Sequence, residues 1–133
     1  MALSDPIADF LTRIRNASRA QRRFVDVNWS KINQSMADIL KGQGFIDSCL
    51  VKKDENGRGM MRIFLKYSDH RQPVIQGLKR VSKPGTRKYV GHEEIPNFYG
   101  SLGLAIVSTS QGLLPGKEAK QRKIGGELLC MVW

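Results

Sequence analysis

The sequence predicts an α+β protein of two small α/β domains, the first helix–strand–helix–strand–strand and the second mainly β with one short helix. Three observations predict it. Apolar residues near the N-terminus recur with helical period and then give way to strand-like runs. A polar stretch ending in proline, "SDHRQP" (Ser68 to Pro73), interrupts the pattern about halfway. Beyond it, strand-like runs are short and turn signals frequent. The expected organisation is an N-terminal domain over residues 1–67, a linker over 68–73 and a C-terminal domain over 74–133. A chain of 133 residues can hold two such domains, burying roughly two thirds of its unfolded surface.

Each element has its own reason. Asp5 suits a helix N-cap and Pro6 the first helical position, where a missing N–H costs nothing. Ile7, Phe10, Leu11 and Ile14 then mark one buried face. The other face carries Arg13, Asn16 and Arg19, and the helix is expected to run out through Arg22 and Arg23, where cations suit the macrodipole. A short strand follows at Phe24–Trp29, with Val25, Val27 and Trp29 alternating against polar residues. Ser30 caps a second helix whose apolar stripe is Ile32, Met36, Ile39 and Leu40, and Gly42 or Gly44 ends it. A hairpin comes next, "FIDSCLVKK" and "MMRIFLKY" joined by "DENGRG", in which Asn56-Gly57 is a strong turn signal. After the break, strands are expected in "VIQGLKRVS", "KPGTRKYVG", "FYG", "LGLAIVSTS" and "GELLCMVW". A helical turn or two is expected in the lysine-rich "GKEAKQRK".

Charge narrows the function. Lys and Arg number 22 against 12 Asp and Glu, a net charge of +10. The excess is not a tail: residues 1–67 hold 12 basic and 7 acidic side chains, and residues 68–133 hold 10 and 5. Solubility needs only a modest net charge, so the balance points to a polyanionic partner touching both halves. Nucleic acid comes first and an anionic membrane surface second. No apolar run approaches a membrane span of roughly 18 residues. "MALSDPIADF" carries acid rather than base ahead of its apolar residues, so it is read as neither signal nor transit peptide. A soluble, intracellular protein is expected.

Catalytic chemistry finds little footing. Cys49 and Cys130 stand apart in apolar surroundings, in no CxxC and no Cys/His cluster, so buried thiols rather than a zinc site are expected. His70 and His92 sit in polar, loop-like contexts without a partner at a telling spacing. In a strand, Glu93 and Glu94 would point to opposite faces, which does not suit a two-carboxylate site. "GLLPGKE" (Gly112 to Glu118) imitates a phosphate loop but spaces its glycines one residue too closely. It also puts Glu118 where a magnesium-binding hydroxyl belongs. A small enzyme handling phosphorylated ligands through "PGKEAK" therefore lacks a nucleophile and a metal set; no cofactor is expected.

Two stretches suit nucleic acid, each against a plainer reading: merely solvated cations for the first, an ordinary hydroxyl-rich turn and a helix-ending glycine pair for the second. "KRVSKPGTRKY" (Lys79 to Tyr89) gathers five cations around a Pro-Gly turn, and Lys83, Arg87 and Lys88 are placed to meet phosphates. Tyr89 either stacks on a base or ribose or packs in the β core. The second stretch is "STSQG". An apolar strand cannot bury hydroxyls without partners, so Ser108, Thr109 and Ser110 belong at its exposed end. Such short hydroxyl side chains bond phosphate, ribose 2′-OH and base edges alike. Gly112 permits close approach of another backbone or a positive φ. In "KIGGEL" (Lys123 to Leu128), Gly125-Gly126 is read as a permissive turn. Glu127 beside it can accept from a base amino group or order a neighbouring serine or N–H.

Four motifs carry a family likeness: "SDPIADFLTRIRNA" (Ser4 to Ala17), "VSKPGTRKY" (Val81 to Tyr89), "GLAIVSTSQG" (Gly103 to Gly112) and "GGELLCMVW" (Gly125 to Trp133). Together they closely resemble the small-subunit ribosomal protein S-eight family in its bacterial form, over essentially the whole chain. The resemblance implies two small α/β domains, no enzymatic activity, and direct binding to the central domain of small-subunit rRNA early in assembly. It implies a place in the cytoplasmic small subunit, as a monomer among neighbouring ribosomal proteins. In some members it also implies repression of translation through the family's own mRNA. It assigns RNA contact to the loop of Ser108, Thr109 and Ser110, and places Tyr89, Gly126 and Glu127 at or beside it. Asp5, Arg13 and Asn16 match the helix face that meets neighbouring RNA. Two departures stand out. Gln111 replaces the family's usual Lys or Arg after "STS", and Pro115-Gly116 replaces its helix-capping residue before the lysine-rich helix.

Overall fold

A computed structural model describes residues 5–96 and 103–133. The strand expected in "FYG" (Phe98 to Gly100) and Leu102 of the apolar run lie outside the described residues. The chain divides into two compact units: Asp9–Gln76, and Gly77–Trp133 joined by the stretch ending at Ala8. The fold is α+β with antiparallel sheets.

Helix α1 (Pro6–Arg19) begins as its sequence dictates, with the Ala8 N–H donating to Asp5 Oδ1 at 3.1 Å. It ends earlier than expected. Gln21 turns left-handed at φ 54°, and the Arg22 N–H reaches back to the Ala17 carbonyl at 2.9 Å, so Arg22 and Arg23 leave the helix. This is the Schellman closure, usually made with glycine; without one, the sequence gives no stop signal.

In the unit Asp9–Gln76, β1 (Phe24–Asn28), β2 (Ile46–Lys53) and β3 (Gly59–Leu65) form a sheet of order β1-β3-β2. Val27, Met61, Ile63 and Leu65 are buried on it. Helix α2 (Lys31–Gly42) is capped by Ser30, whose Oγ accepts the Asn33 N–H at 3.0 Å, and Gly44 at φ 81° ends it. Its buried stripe is Asn33, Met36, Ala37 and Leu40. Ile32, expected in that stripe, is exposed instead. Asn33 takes the inward place because its Nδ2 donates to the Asn28 carbonyl at 2.8 Å, tying the helix start to β1. The β2–β3 hairpin turns at Asn56-Gly57, where Asp54 Oδ1 accepts the N–H groups of Asn56 and Arg58, each at 2.9 Å.

The other unit is built on β8 (Gly126–Val132), the middle of a five-stranded sheet. On one side it pairs with β4 (Leu78–Arg80) and then β5 (Tyr89–Val90); on the other it pairs with β6 (Leu104–Thr109), which carries β7 (Gly112–Pro115) outside it. β7 is an element the sequence reading did not foresee. Helix α3 (Gly116–Gln121) follows it directly, with Pro115 as N-cap and no side-chain cap. Val107, Leu114, Ala119 and Leu128 pack with Ile95 and Ala105 as the core beneath it. Glu93 and Glu94 lie in a short 3-10 turn (His92–Glu94), not a strand, and both are exposed.

Both cysteines are thiols rather than a disulfide. Cys130 has no accessible surface, and burial pushes its thiol up to about 12. Cys49, half-buried in β2, is also raised, by burial first and then by the Asp38 charge.

Candidate nucleic-acid interface

The site is assembled by strand register. Tyr89 on β5 pairs with Glu127 on β8, and Glu127 pairs with Ser108 on β6. Directly paired residues of antiparallel strands project to the same face, so these three form one row across three strands. Tyr89 is 71% exposed, which decides between its two readings: it does not pack in the core.

At one end of the row is "STSQG". Thr109 pairs with Gly112, so Ser110 and Gln111 are the tip of the β6–β7 hairpin. Gly112 adopts φ 98° with nothing within 4 Å of where a Cβ would stand, so it serves the turn rather than a close approach. The Thr109 hydroxyl is spent on the turn itself: it donates to the Gly112 carbonyl at 2.8 Å and accepts the Gln111 N–H at 3.0 Å. Ser108 is half-buried and Ser110 exposed, at the outer end of the strand as expected.

Glu127 is held from the other side. Its Oε2 accepts the Ser82 hydroxyl at 2.5 Å and the Arg87 Nη1 at 2.9 Å. Ser82 has no accessible surface, and its Oγ also accepts the Lys88 N–H at 3.0 Å. Burial alone would push the Glu127 carboxyl up. The hydrogen bonds from Ser82 and Arg87, with the charges of Arg87 and Arg80, outweigh it and hold the carboxyl below its ordinary range. An anionic Glu127 is thus compatible with its cationic surroundings. Sequence reasoning missed Ser82: it stands 45 residues from Glu127, and no local pattern joins the two.

Gly125-Gly126 is not the permissive turn expected. The positive φ here belongs to Lys123, at 56°. The glycines are needed because a Cβ at Gly126 would lie 2.1 Å from the Ser108 carbonyl oxygen, and one at Gly125 would lie 2.4 Å from that of Val90. They let β8 run tight between its neighbours.

The cation-rich loop splits by role. Lys83 and Thr86 exchange backbone hydrogen bonds at 3.0 and 2.9 Å around Pro84-Gly85. That closure leaves Lys83, Arg87 and Lys88 exposed. Arg80 turns inward: its Nη1 donates to the Leu129 carbonyl at 2.7 Å and its Nε meets Asp5 at 3.2 Å, with 10% of its side chain exposed. Asp5 is thereby engaged twice, as helix cap and as ion-pair partner. Arg13 and Asn16 are exposed on α1, where they line a groove of about 520 Å³ with Arg22, Phe24 and Asp26. Arg13 also bonds Asp9 at 3.1 Å. Among the described residues, no three His, Cys, Asp or Glu side chains group to hold a metal. No helix there is long and apolar enough to cross a membrane.

Residues 5–133 match the family model for ribosomal protein S8. The chain belongs to the ribosomal protein S8 family. Ribosomal protein S8 is a structural, non-enzymatic constituent of the ribosome, so the chain is not an enzyme. The small ribosomal subunit protein uS8 of Protochlamydia amoebophila is 68% identical over 133 residues, covering all of both chains. That of Chlamydia felis is 55% identical over 130 residues, 98% of this chain and 97% of its own. That of Streptococcus agalactiae serotype V is 51% identical over the full length of both.

Proposed function

We propose that the protein works in the cytoplasmic small ribosomal subunit, binding the central domain of small-subunit rRNA directly and supporting its assembly. The observation that carries this reading is the row Tyr89–Glu127–Ser108, which ends in the hydroxyl turn and is flanked by Lys83, Arg87 and Lys88. A-form RNA presents a wide, shallow minor groove lined with 2′-hydroxyls, and displaced bases offer flat faces and polar edges. Ser108 and Ser110 suit the hydroxyls, Tyr89 a base or ribose face, and Glu127 a base amino group. The loop cations neutralise phosphates and add the salt-dependent part of the affinity. The mechanism is binding without turnover: register sets the row, and the Ser82–Glu127 bond keeps the acid in place.

The test is filter binding of the purified protein to a transcript of the central domain, with an unrelated structured RNA as competitor. The wild type binds its transcript preferentially. Ser110→Ala weakens that binding by about 1–2 kcal/mol, the scale of a lost contact whose partner stays desolvated. Equal affinity for both RNAs, or no effect of Ser110→Ala, overturns the reading.

A further inference from the structure

We propose that Arg122 is a further RNA-contacting cation of the hydroxyl turn, and that Gln111 is the residue positioning it. The inference rests on the reading above, that the turn faces RNA. Gln111 lies at the exposed tip of the β6–β7 hairpin, and its Oε1 accepts Arg122 Nη1 at 2.7 Å. Arg122 is the C-cap of α3, eleven residues further along the chain. One helical turn before it, Glu118 Oε1 accepts Arg122 Nη2 at 2.5 Å. Two acceptors from two elements, the hairpin tip and α3, therefore grip one guanidinium and fix its plane.

The grip leaves the group usable. The side chain of Arg122 is 45% exposed. A guanidinium carries five N–H donors in a rigid fork, and the two bonds to Gln111 and Glu118 use two of them. The remaining donors suit a phosphate oxygen of the strand lying on the turn. Glu118 supplies negative charge at the same place and 40% of its side chain is exposed, so it tempers the attraction while holding the geometry. Gln111 itself is uncharged; it gives the turn a cation by recruiting one from α3.

Four variants separate this role from a merely structural ion pair, each read as RNA affinity and as the slope of log affinity against log salt. Arg122→Gln is expected to lose several-fold affinity and to flatten the slope by about one phosphate contact. Gln111→Ala keeps every charge but releases the guanidinium, so affinity falls a few-fold at an unchanged slope. Glu118→Gln keeps an acceptor and removes the repelling charge, so affinity rises. Arg122→Lys keeps charge and fold and gives intermediate affinity with the wild-type slope. Thermal melts of each variant confirm that folded protein is compared. If Arg122→Gln binds with wild-type affinity and slope while Ser110→Ala is impaired, the assignment of Arg122 falls and the turn's role stands. If Ser110→Ala is also without effect, the reading of the turn falls and Arg122 with it.

Discussion

The Ser82 hydroxyl, wholly buried, donates to Glu127 Oε2 at 2.5 Å. The same oxygen of Ser82 accepts the Lys88 N–H at 3.0 Å. One small side chain thus ties the middle strand of the sheet to the start of β5, and with it the acid in the row to the loop that carries the cations.

The bond gives stability a defined dependence on pH. Glu127 has its folded carboxyl held below the ordinary value near 4.5. The unfolded chain therefore takes up the proton first as pH falls, and the contribution of Glu127 is complete above that value and lost through the lower folded one. Asp26, lowered by its hydrogen bond from Arg62, titrates in the same direction. The urea midpoint should fall as the solution is acidified through this range, and more steeply in the wild type than in Glu127→Gln. Superimposable acid profiles for the two proteins would remove Glu127 from the account.

Gly126→Ala should destabilise the protein by about 1–3 kcal/mol, the usual cost of overpacking. Its new methyl would meet the Ser108 carbonyl at 2.1 Å, and backbone cannot swing aside as a side-chain tip can. Because that carbonyl belongs to the row, RNA affinity should fall with stability. Gly112→Ala meets no atom but must hold φ 98°, which costs an L-residue about 1–2 kcal/mol. Thermal melts alongside binding distinguish the two; a Gly126→Ala protein with wild-type melting would disprove the close approach.

Lys123→Gly should stabilise. Lys123 closes α3 at φ 56°, with the Ile124 N–H on the Ala119 carbonyl at 3.0 Å. A left-handed L-residue costs about 1–2 kcal/mol, and glycine returns roughly 0.5–1 kcal/mol of that in unfolded-chain entropy. A net gain of up to about 1.5 kcal/mol, seen as a higher urea midpoint, is expected. A lowered midpoint would show that Lys123 is held by something other than backbone geometry.

Much of the architecture is legible in local patterns. Caps at Asp5 and Ser30, the helical period of Ile7–Ile14 and the Asn56-Gly57 turn are short-range signals, and all appear as read. The failures share a cause. α1 stops at Gln21 through a hydrogen-bond pattern that normally advertises itself with glycine. Ile32 yields its inward place to Asn33 because of a bond to a different element. In the candidate site, the exposed Ser110 at the outer end of "STSQG" and the exposed loop cations follow from burial arguments alone. The pairing of Glu127 with Ser82, the inward turn of Arg80 and the reach of Arg122 to Gln111 depend on which strands become neighbours. Register of that kind is a tertiary property that residue spacing does not encode.

The two thiols fall one in each compact unit, Cys49 in β2 and Cys130 in β8. Since only a thiolate reacts readily with an alkylating reagent, a Cys130 pushed up to about 12 is silent until its sheet opens. Labelling of Cys130 in the native protein over time therefore clocks the opening of its own sheet, with no reporter introduced.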